Sequence, residues 1–346
     1  MADGAFSPKD FKAWVIEETT TGQVYASPPV VTAPAITSGM FQLDVDSVSF
    51  PSLSPNQVTA VRTRSGRVLN DADFFQDNKM KAVEVSLSGT FHADAGTTML
   101  MQSVVGQDLT GSIVNVDLSG TATGVSGKYG QASSAGANKT FTLVLEPSDQ
   151  VDGFNTVMVG CLCTSFSISA EAGSDGGLYK FEATISSGQK PITNNISAPA
   201  GTVFGDGLIS LLNATSSGIK VGAITPVLSS FSVSVESPAV YAGFNSAGYH
   251  SFGRGAEIIV NASASVKYDS VTKALYNSFN NQTEIIDGNL FVLPNGANNG
   301  DCGISIPNGA LTEVALNESD IMMLDVSMMG TSDGSASVIT FDQTTS

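Results

Sequence analysis

Few residues of this sequence combine the type and the spacing that catalysis or metal binding requires. Its two histidines, His92 and His250, are the side chains that titrate nearest to neutral pH. His92 falls on the outward face of an alternating strand pattern and His250 falls in a loop, and neither has a neighbouring set of groups that would make it a base or a ligand. We therefore expect both histidines to be ordinary polar residues.

The three cysteines are the other candidates for chemistry. On a strand, Cys161 and Cys163 would point the same way, but Cys302 alone cannot supply the second pair of ligands that zinc requires. Paired aspartates in the sequence lack the further oxygen ligands, the glycine and the glutamate of a calcium-binding loop. Motifs of hydrolases, nucleotide-binding enzymes and zinc proteases are missing as well. We therefore expect buried, reduced thiols and a protein that is not an enzyme and holds no metal or cofactor.

The charge balance argues against a protein that grips nucleic acid. Asp and Glu number 32 and Lys and Arg 15, which gives a formal net charge of −17. Broad binding to phosphates needs Lys and Arg that displace counterions, so a net negative surface opposes it. No segment approaches the ~20 consecutive apolar residues of a membrane span, and the N-terminus has no apolar run typical of a signal peptide. We expect no membrane contact and folding in a reducing cytoplasm.

The elements that must position these residues are strands. In residues 83–91, valine and leucine alternate with glutamate and serine, as on a strand with one buried and one wet face. This alternation predicts a mainly β protein whose antiparallel sheets form a sandwich or an open barrel. The same pattern recurs in residues 166–170, 179–185, 231–235, 258–266 and 322–328.

Two segments have helical instead of strand periodicity. Asp94 is a suitable N-cap for a short amphipathic helix over residues 97–105. Asp269 stands in the same relation to residues 270–280, where Val271, Leu275 and Phe279 form one apolar stripe. Each helix follows an alternating strand, so the sequence predicts strand, acidic cap and helix twice.

This repeated order of elements indicates a tandem duplication. Residues 82–91 align with residues 255–264, and a hairpin of two alternating strands closes each half. Between the halves, residues 190–201 contain the Pro, Asn and Gly that end strands and favour linkers. We therefore predict two domains, residues 1–190 and residues 191–346, each with one short helix.

Two long loops before the repeated strands are the candidate interaction sites. The loop over residues 61–81 is dense in both signs of charge, and the loop over residues 238–254 is dense in aromatic residues and glycine. An apolar patch of that size in a loop usually contacts a partner, and Arg with Asp suits ion pairing between like subunits. The predicted interface residues are Arg62, Arg64, Arg67, Phe74, Phe75, Tyr241, Phe244, Tyr249 and Phe252.

Several segments carry a resemblance to a known family. Residues 160–173, followed by residues 178–185 and a Gly-Gln-Lys-Pro exit at residues 188–191, resemble the hairpin that closes the first domain of duplicated tail tube proteins from long-tailed, siphovirus-like bacteriophages. Residues 227–236 resemble the strand that opens their second domain. The similarity in the order of elements spans nearly the whole chain.

The resemblance implies a structural subunit of a phage tail tube. It implies two β-sandwich domains whose inner sheets join between subunits into a barrel, with stacked rings around an acidic channel through which the genome passes unbound. The implied partners are copies of the chain and other tail proteins at the tube ends. Because the duplication gives each chain two halves, we expect a ring to contain three chains that present six equivalent domains. The implied location is the virion tail, after assembly in the cytoplasm of the bacterial host.

A second function remains open from the sequence. A surface adhesin, or a fibre-like β module that binds a host ligand, could have the same composition. Such a protein would normally carry a secretion signal, or a projecting tip with clustered aromatic residues and no self-assembly. Rings or tubes in a micrograph of the purified protein would separate the two functions.

Overall fold

Strands dominate the chain, which confirms the predicted mainly β fold. The computed structural model describes residues 7–18, 39–59, 74–80, 82–105, 116–117, 121–122, 140–147, 155–193, 200–205, 208–211, 218–222, 224–244, 250–254, 258–281, 286–293, 302–318, 321–331 and 338–343.

The first half of the chain contains eleven of the described strands and one α-helix. A short 3-10 turn at Pro8–Asp10 precedes the first strand, and a second one at Asp175–Gly177 precedes the last. The helix, α1, is Ala95–Val105. The strands are β1 (Phe11–Glu17), β2 (Met40–Leu43), β3 (Val45–Val48), β4 (Pro55–Thr59), β5 (Phe74–Met80), β6 (Val83–Thr90), β7 (Val116–Asp117), β8 (Thr121–Ala122), β9 (Phe141–Pro147), β10 (Thr156–Glu171) and β11 (Lys180–Ser187).

The second half contains the remaining described strands and a second helix. This helix, α2, is Lys273–Asn280. The strands are β12 (Gly201–Thr202), β13 (Lys220–Val221), β14 (Leu228–Glu236), β15 (Ala239–Phe244), β16 (His250–Arg254), β17 (Ile259–Lys267), β18 (Ile286–Leu293), β19 (Cys302–Glu318), β20 (Met322–Gly330) and β21 (Thr340–Gln343).

Most of these strands belong to a single large sheet that crosses from one half to the other. Within each half the pairing follows the same order: β1-β9-β10-β11-β6-β3 in the first and β13-β18-β19-β20-β17-β14 in the second. All of these pairs are antiparallel. The two longest strands, β10 and β19, therefore occupy corresponding places, and so do β3 and β14. The division of the chain into two domains near residue 190 stays a prediction.

Two identical turns fix the correspondence between the halves residue by residue. Oδ1 of Asp94 accepts a hydrogen bond from the backbone N–H of Thr97 (2.9 Å), and the Thr97 hydroxyl donates to the carbonyl of His92. In the second half, Oδ1 of Asp269 accepts from the N–H of Thr272 (3.1 Å), whose hydroxyl donates to the carbonyl of Lys267 (2.9 Å). Asp94 is therefore confirmed as the N-cap of α1. The prediction is wrong for Asp269, because α2 begins at Lys273 with Thr272 at its N-cap position, and Asp269 caps the turn before the helix. Each carboxylate holds the chain where strand β6 or β17 turns towards its helix.

The helices differ in how much they bury. Helix α1 packs against β1, β2 and β10 and buries Met99, Leu100 and Val104. In α2 only Leu275 is buried, whereas Phe279 and the preceding Val271 are exposed. The predicted apolar stripe over Val271, Leu275 and Phe279 is thus buried in its middle only.

One apolar core connects the halves. It contains residues of both, from Val15 and Phe166 to Phe291 and Val326. A smaller cluster around Trp14 covers the opposite face of the sheet at β1 and β9, so β9 is buried on both faces.

Candidate assembly surface

The two halves meet along a pair of antiparallel strands, β10 and β14. The ladder runs from Ser165 opposite Glu236 to Glu171 opposite Ser230. Towards the core, apolar residues of β10 face apolar residues of β14, as Ile168 faces Val233. We call this ladder the internal junction. It shows that the part of β10 that extends beyond β9 is shaped to pair with β14, the edge strand of the second half.

Aromatic rings reinforce the internal junction. Phe231 of β14 contacts Tyr179 of the first half edge to face, with ring centroids 5.2 Å apart. It also lies 5.9 Å from the ring of Phe291 in its own half. All three side chains are almost completely buried. Because such pairs add to the free energy of apolar burial, Phe231 stabilises the junction as well as the second half.

The strand that corresponds to β10 has an open edge. Strand β9 covers the first part of one edge of β10, and β14 covers the rest of that edge. Strand β18 likewise covers the first part of β19, as far as Gly309. Beyond it, no strand in the described part of the chain pairs with residues 311–318 on that edge. Several side chains there, including Glu313 and Asn317, are exposed.

The strand that corresponds to β14 has an open edge too. Strand β3 pairs with β6 through Val45, Ser47 and Val48. Within the described ranges, no strand pairs with its other edge. The chain therefore presents one open edge of the β10 type and one of the β14 type, at opposite ends of the eight-strand run β3-β6-β11-β10-β14-β17-β20-β19.

The solvent-facing side of this run is lined by short hydroxyl side chains. Four serines stand side by side across the internal junction: Ser169, Ser232, Ser263 and Ser327 occupy consecutive strands in register. Acids outnumber lysines on this face. The acids are Glu84, Glu171, Glu182, Glu236, Glu313 and Asp325, and the lysines are Lys180 and Lys267.

One of the two lysines on this face is neutralised locally. Nζ of Lys180 lies 3.1 Å from Oδ2 of Asp46 and donates to the hydroxyl of Thr90, also at 3.1 Å. This contact ties β11 to the acid of β3 and leaves the face with a negative balance.

Two hairpins project between corresponding strands of the halves. Strands β4 and β5 form the first, between β3 and β6, and strands β15 and β16 form the second, between β14 and β17. The sequence prediction of loops is wrong for residues 74–80, 239–244 and 250–254, because cross-strand pairing makes these residues β-strands. Exposed apolar side chains on the ribbons include Val58 and Val240, which sequence reasoning did not select.

The predicted interface residues fall mostly on these hairpins. Phe74 and Phe75 lie on β5 and are exposed, with Phe75 opposite Val58. On the second hairpin, Tyr241 pairs with Phe252, and Phe244 pairs with His250. The role of these residues in an interface stays a prediction. Arg62, Arg64, Arg67 and Tyr249 lie outside the described residues.

The histidines are placed differently from the prediction. His92 is buried instead of facing outward. Its Nε2 lies 2.9 Å from Oδ2 of Asp44, and the centroid of its ring lies 5.1 Å from that of Phe204. His250 begins strand β16 instead of lying in a loop. The three cysteines are free thiols and all are buried.

The described residues contain no cluster of three or more His, Cys, Asp or Glu side chains that could hold a metal ion. Neither described helix is long and apolar enough to cross a bilayer. Comparison with protein-family models and with curated proteins finds no match for this chain.

Proposed function

We propose that the chain is a structural subunit of a phage tail tube, which assembles with copies of itself into rings around a channel. The observation that carries the proposal is the pair of open edges at the ends of the eight-strand run. One edge corresponds to β10 and the other to β14, and these two strands pair with each other inside the chain. The internal junction is thus a template for a contact between chains.

The open edges favour a closed assembly. An exposed strand edge carries unpaired N–H and C=O groups and is an aggregation hazard unless it is covered. If β19 of one copy pairs with β3 of the next, each copy uses two different surfaces, and a ring covers both of these open edges in every copy. Three chains would provide six corresponding units, because each chain already contains two.

The internal junction also specifies the register of the proposed contact. Ser169 pairs with Ser232, which pairs in turn with Ser263. By strand correspondence, Ala315 takes the place of Ser169, and Ser47 takes the place of Ser232. Ala315 of one copy would therefore face Ser47 of the neighbouring copy, with both side chains on the hydroxyl-lined face.

The hydroxyl-lined face would form the wall of the channel. Serine hydroxyls carry no charge that could displace counterions from DNA, so they contribute nothing to salt-dependent binding. The excess of acids on the same face repels phosphates at the short range that salt leaves unscreened. Such a wall suits a duplex that must pass without being held.

The projecting hairpins would connect successive rings. Both leave the sheet from corresponding positions, and both expose apolar side chains such as Phe75 and Val240. Rings that stack head to tail repeat the same contact at every level, so an open filament grows. The role is structural, and it requires no catalytic group.

Electron microscopy and mass measurement of the purified chain test the assembly. We expect tubes, or rings of three chains. The variant Thr312→Pro should block them, because proline removes an N–H from the open edge of β19. Thr312 is exposed and lies at the bulge between Leu311 and Glu313, where proline is tolerated in a strand. The matched control, Thr312→Ala, keeps that N–H and should assemble normally.

A cysteine pair tests the register. We expect Ser47→Cys with Ala315→Cys to form disulfides between chains in assembled rings, and neither single variant to do so. A chain that stays monomeric, or one that assembles equally well with Thr312→Pro, would rule out the proposed edge contact.

A further inference from the structure

The side of the sheet that packs on the core is apolar as far as both open edges. At the internal junction, Ala170 of β10 faces Phe231 of β14 on this side, and both residues are buried. By strand correspondence, Leu316 of β19, which is 36% exposed, takes the place of Ala170. Val45 of β3 takes the place of Phe231. A leucine with a valine fills a volume similar to that of an alanine with a phenylalanine, so the proposed contact between chains can pack on its apolar side as well.

Helix α1 packs on the same side of the internal junction and contacts β14 as well as β10. In β10, the Cys163 N–H donates to the hydroxyl of Ser103 on α1 (3.0 Å). The carbonyl of the next residue, Thr164, accepts from the N–H of Ser237, just beyond the end of β14 (2.8 Å). The last turn of α1 therefore lies beside the end of β14.

The last turn of α1 buries a valine that corresponds to an exposed phenylalanine in α2. The matching Asp–Thr turns set Leu100 against Leu275, and both leucines are buried. One helical turn further along, they set Val104 against Phe279. Val104 is 0% exposed, whereas Phe279 is 40% exposed. In the described part of the chain, the last turn of α2 thus lacks the cover that β14 gives to the last turn of α1.

The end of β3 shows the same contrast with the end of β14. The Ser49 N–H donates to the carbonyl of Ser86 (2.9 Å), so Ser49 continues the pairing of β3 with β6. In the second half, Ser234 holds that place in β14. The next residue is Phe50 after β3 and Val235 in β14. Val235 is 0% exposed, whereas Phe50 is 39% exposed. Phe50 is therefore a second exposed phenylalanine that corresponds to a buried valine.

The two buried valines belong to one core at the internal junction. We propose that the two phenylalanines form the equivalent core between chains: Phe279 of one copy packs against Phe50 of the neighbouring copy, so that α2 docks on β3 as α1 docks on β14. This inference rests on the proposed ring contact between β19 and β3. We call Phe279 and Leu316 of one copy, with Phe50 and Val45 of the next, the apolar seam.

The apolar seam would make the ring contact selective for a second copy of this chain. Backbone pairing alone fits the edge of almost any strand, and each backbone hydrogen bond adds little net free energy, because water satisfies the same groups in the free chain. Two aromatic rings add free energy only where the partner presents a ring at the matching place. The β3 edge of a second copy presents Phe50 at that place.

Thiol cross-linking in assembled rings tests the apolar seam. We expect a short bismaleimide to join Phe50→Cys of one chain to Phe279→Cys of the next, with closed trimers as the end product. The native thiols do not compete, because all three are buried. Within one chain, β3 and the strand β19 that α2 contacts lie at opposite ends of the eight-strand run, so a link must join two chains.

The matched control pair is Phe50→Cys with Val271→Cys, which should not cross-link. Val271 lies about 12 Å from Phe279 at the rise of a helix. Its counterpart in the first half, Gly96, lies against Phe41 and Leu43 of β2 in its own half, away from the internal junction.

A second measurement uses assembly itself. Phe279→Ser should raise the protein concentration required for ring formation by about tenfold, because the exposed part of the ring is no longer buried between chains. Val271→Ser should leave that concentration unchanged, although Val271 is 48% exposed and stands beside the same helix. Equal effects of the two variants would overturn the seam.

A double-mutant cycle shows whether the two rings contact each other. Phe50 also packs edge to face against Phe11 of its own chain, with ring centroids 4.6 Å apart, and the cycle cancels the loss of that contact. In the Phe50→Ser background, Phe279→Ser should raise the required concentration by less than about threefold, because its partner ring is already absent. A rise of about tenfold in both backgrounds would overturn the contact between Phe279 and Phe50.

The possible outcomes separate the apolar seam from the proposed function. Rings that link through Ser47→Cys with Ala315→Cys, but not through Phe50→Cys with Phe279→Cys, would overturn the seam and leave the ring contact standing. Equal cross-linking by the Val271 control, or a link within a single chain, would overturn the seam as well. Failure of both pairs, with no rings formed, would overturn the ring contact and the seam together.

Discussion

Replacement of Phe231 by alanine tests whether the two halves fold as one unit. Phe231 is buried at the internal junction, and its ring contacts Tyr179 in one half and Phe291 in the other. Loss of a buried phenylalanine side chain costs about 3–5 kcal/mol of unfolding free energy, from lost burial and from the cavity left behind. Because the core is shared, we expect that loss to destabilise both halves.

The size of the shift in melting temperature distinguishes the alternatives. If all 346 residues unfold together, the entropy of unfolding is about 0.7 kcal/mol/K, and Tm should fall by about 4–7 °C. If residues 191–346 unfold alone, their smaller entropy makes the same loss of free energy lower Tm by about 9–15 °C. Scanning calorimetry measures the shift, and hydrogen exchange shows which strands lose protection.

The matched control for this experiment is Phe166→Ala. Phe166 is equally buried, but its ring contacts, Phe91 and Phe181, both belong to the first half. If the core is shared, both variants lower the Tm of one common unfolding transition and reduce protection from hydrogen exchange in β11 as well as in β18. Two separate transitions, each lowered by only one of the variants, would show that the halves unfold independently and refute the argument.

Three further predictions concern charge, assembly and thiols. Burial raises the pKa of Asp94, whereas hydrogen bonds from the N–H groups of Thr272 and Val271 lower the pKa of Asp269. The stability contributed by Asp269 is therefore present above its ordinary pKa and lost as the pH falls through the lowered value. That of Asp94 is present at acidic pH and lost as the pH rises through the raised value. Urea denaturation between about pH 3 and pH 7 tests both carboxyl groups. Asp269→Asn should reduce the free energy of unfolding most near pH 7, and Asp94→Asn should reduce it least near about pH 7. The opposite pH dependence of either variant would contradict the direction of that pKa shift. Replacing Tyr241, Phe244 and Phe252 together with serine should leave a folded chain that forms no tubes, whereas Arg64→Ser should impair tube formation much less. Normal tubes from the triple variant would show that the hairpin takes no part in the contact between stacked rings. The thiols of Cys161, Cys163 and Cys302 should not react with a thiol reagent until the protein unfolds, since all are buried, and rapid labelling of the native protein would contradict that burial.

Alternation predicted the strands that have one wet face, and it missed those that have none. Strand β17 alternates buried Val260, Ala262 and Ala264 with exposed residues, as the sequence indicates. Strand β9 is buried along its whole length, because the main core covers one face and the Trp14 cluster covers the other. Its Glu146 would suggest a wet face, but the indole N–H of Trp14 donates to it (2.9 Å) in the interior. Periodicity alone cannot identify a strand whose polar residues find buried partners.

The open edges could not be predicted from sequence patterns, for a different reason. An edge is defined by backbone N–H and C=O groups that lack a neighbour, and every residue except proline carries both groups. Neither residues 311–318 nor β3 contains a Lys or a Pro that would mark an open edge. Only the pairing of β10 with β14 identifies them, because it shows which strand belongs on the corresponding edge.

The residue-by-residue alignment of the two halves also could not be fixed from the sequence pattern. The sequence alignment sets Phe91 against Ala264, whereas the matching Asp–Thr turns set Phe91 against Val266. A slip of two residues keeps every side chain on its own face, so an alternating pattern fits both alignments equally well. The turns remove this ambiguity, since the carboxylate and the hydroxyl must bond to backbone groups at fixed distances along the chain. The same correction sets Ser88 against Ser263, and so sets Ser47 against Ser232. A slip of two residues at that point would move the proposed contact between chains by about 7 Å along the strand.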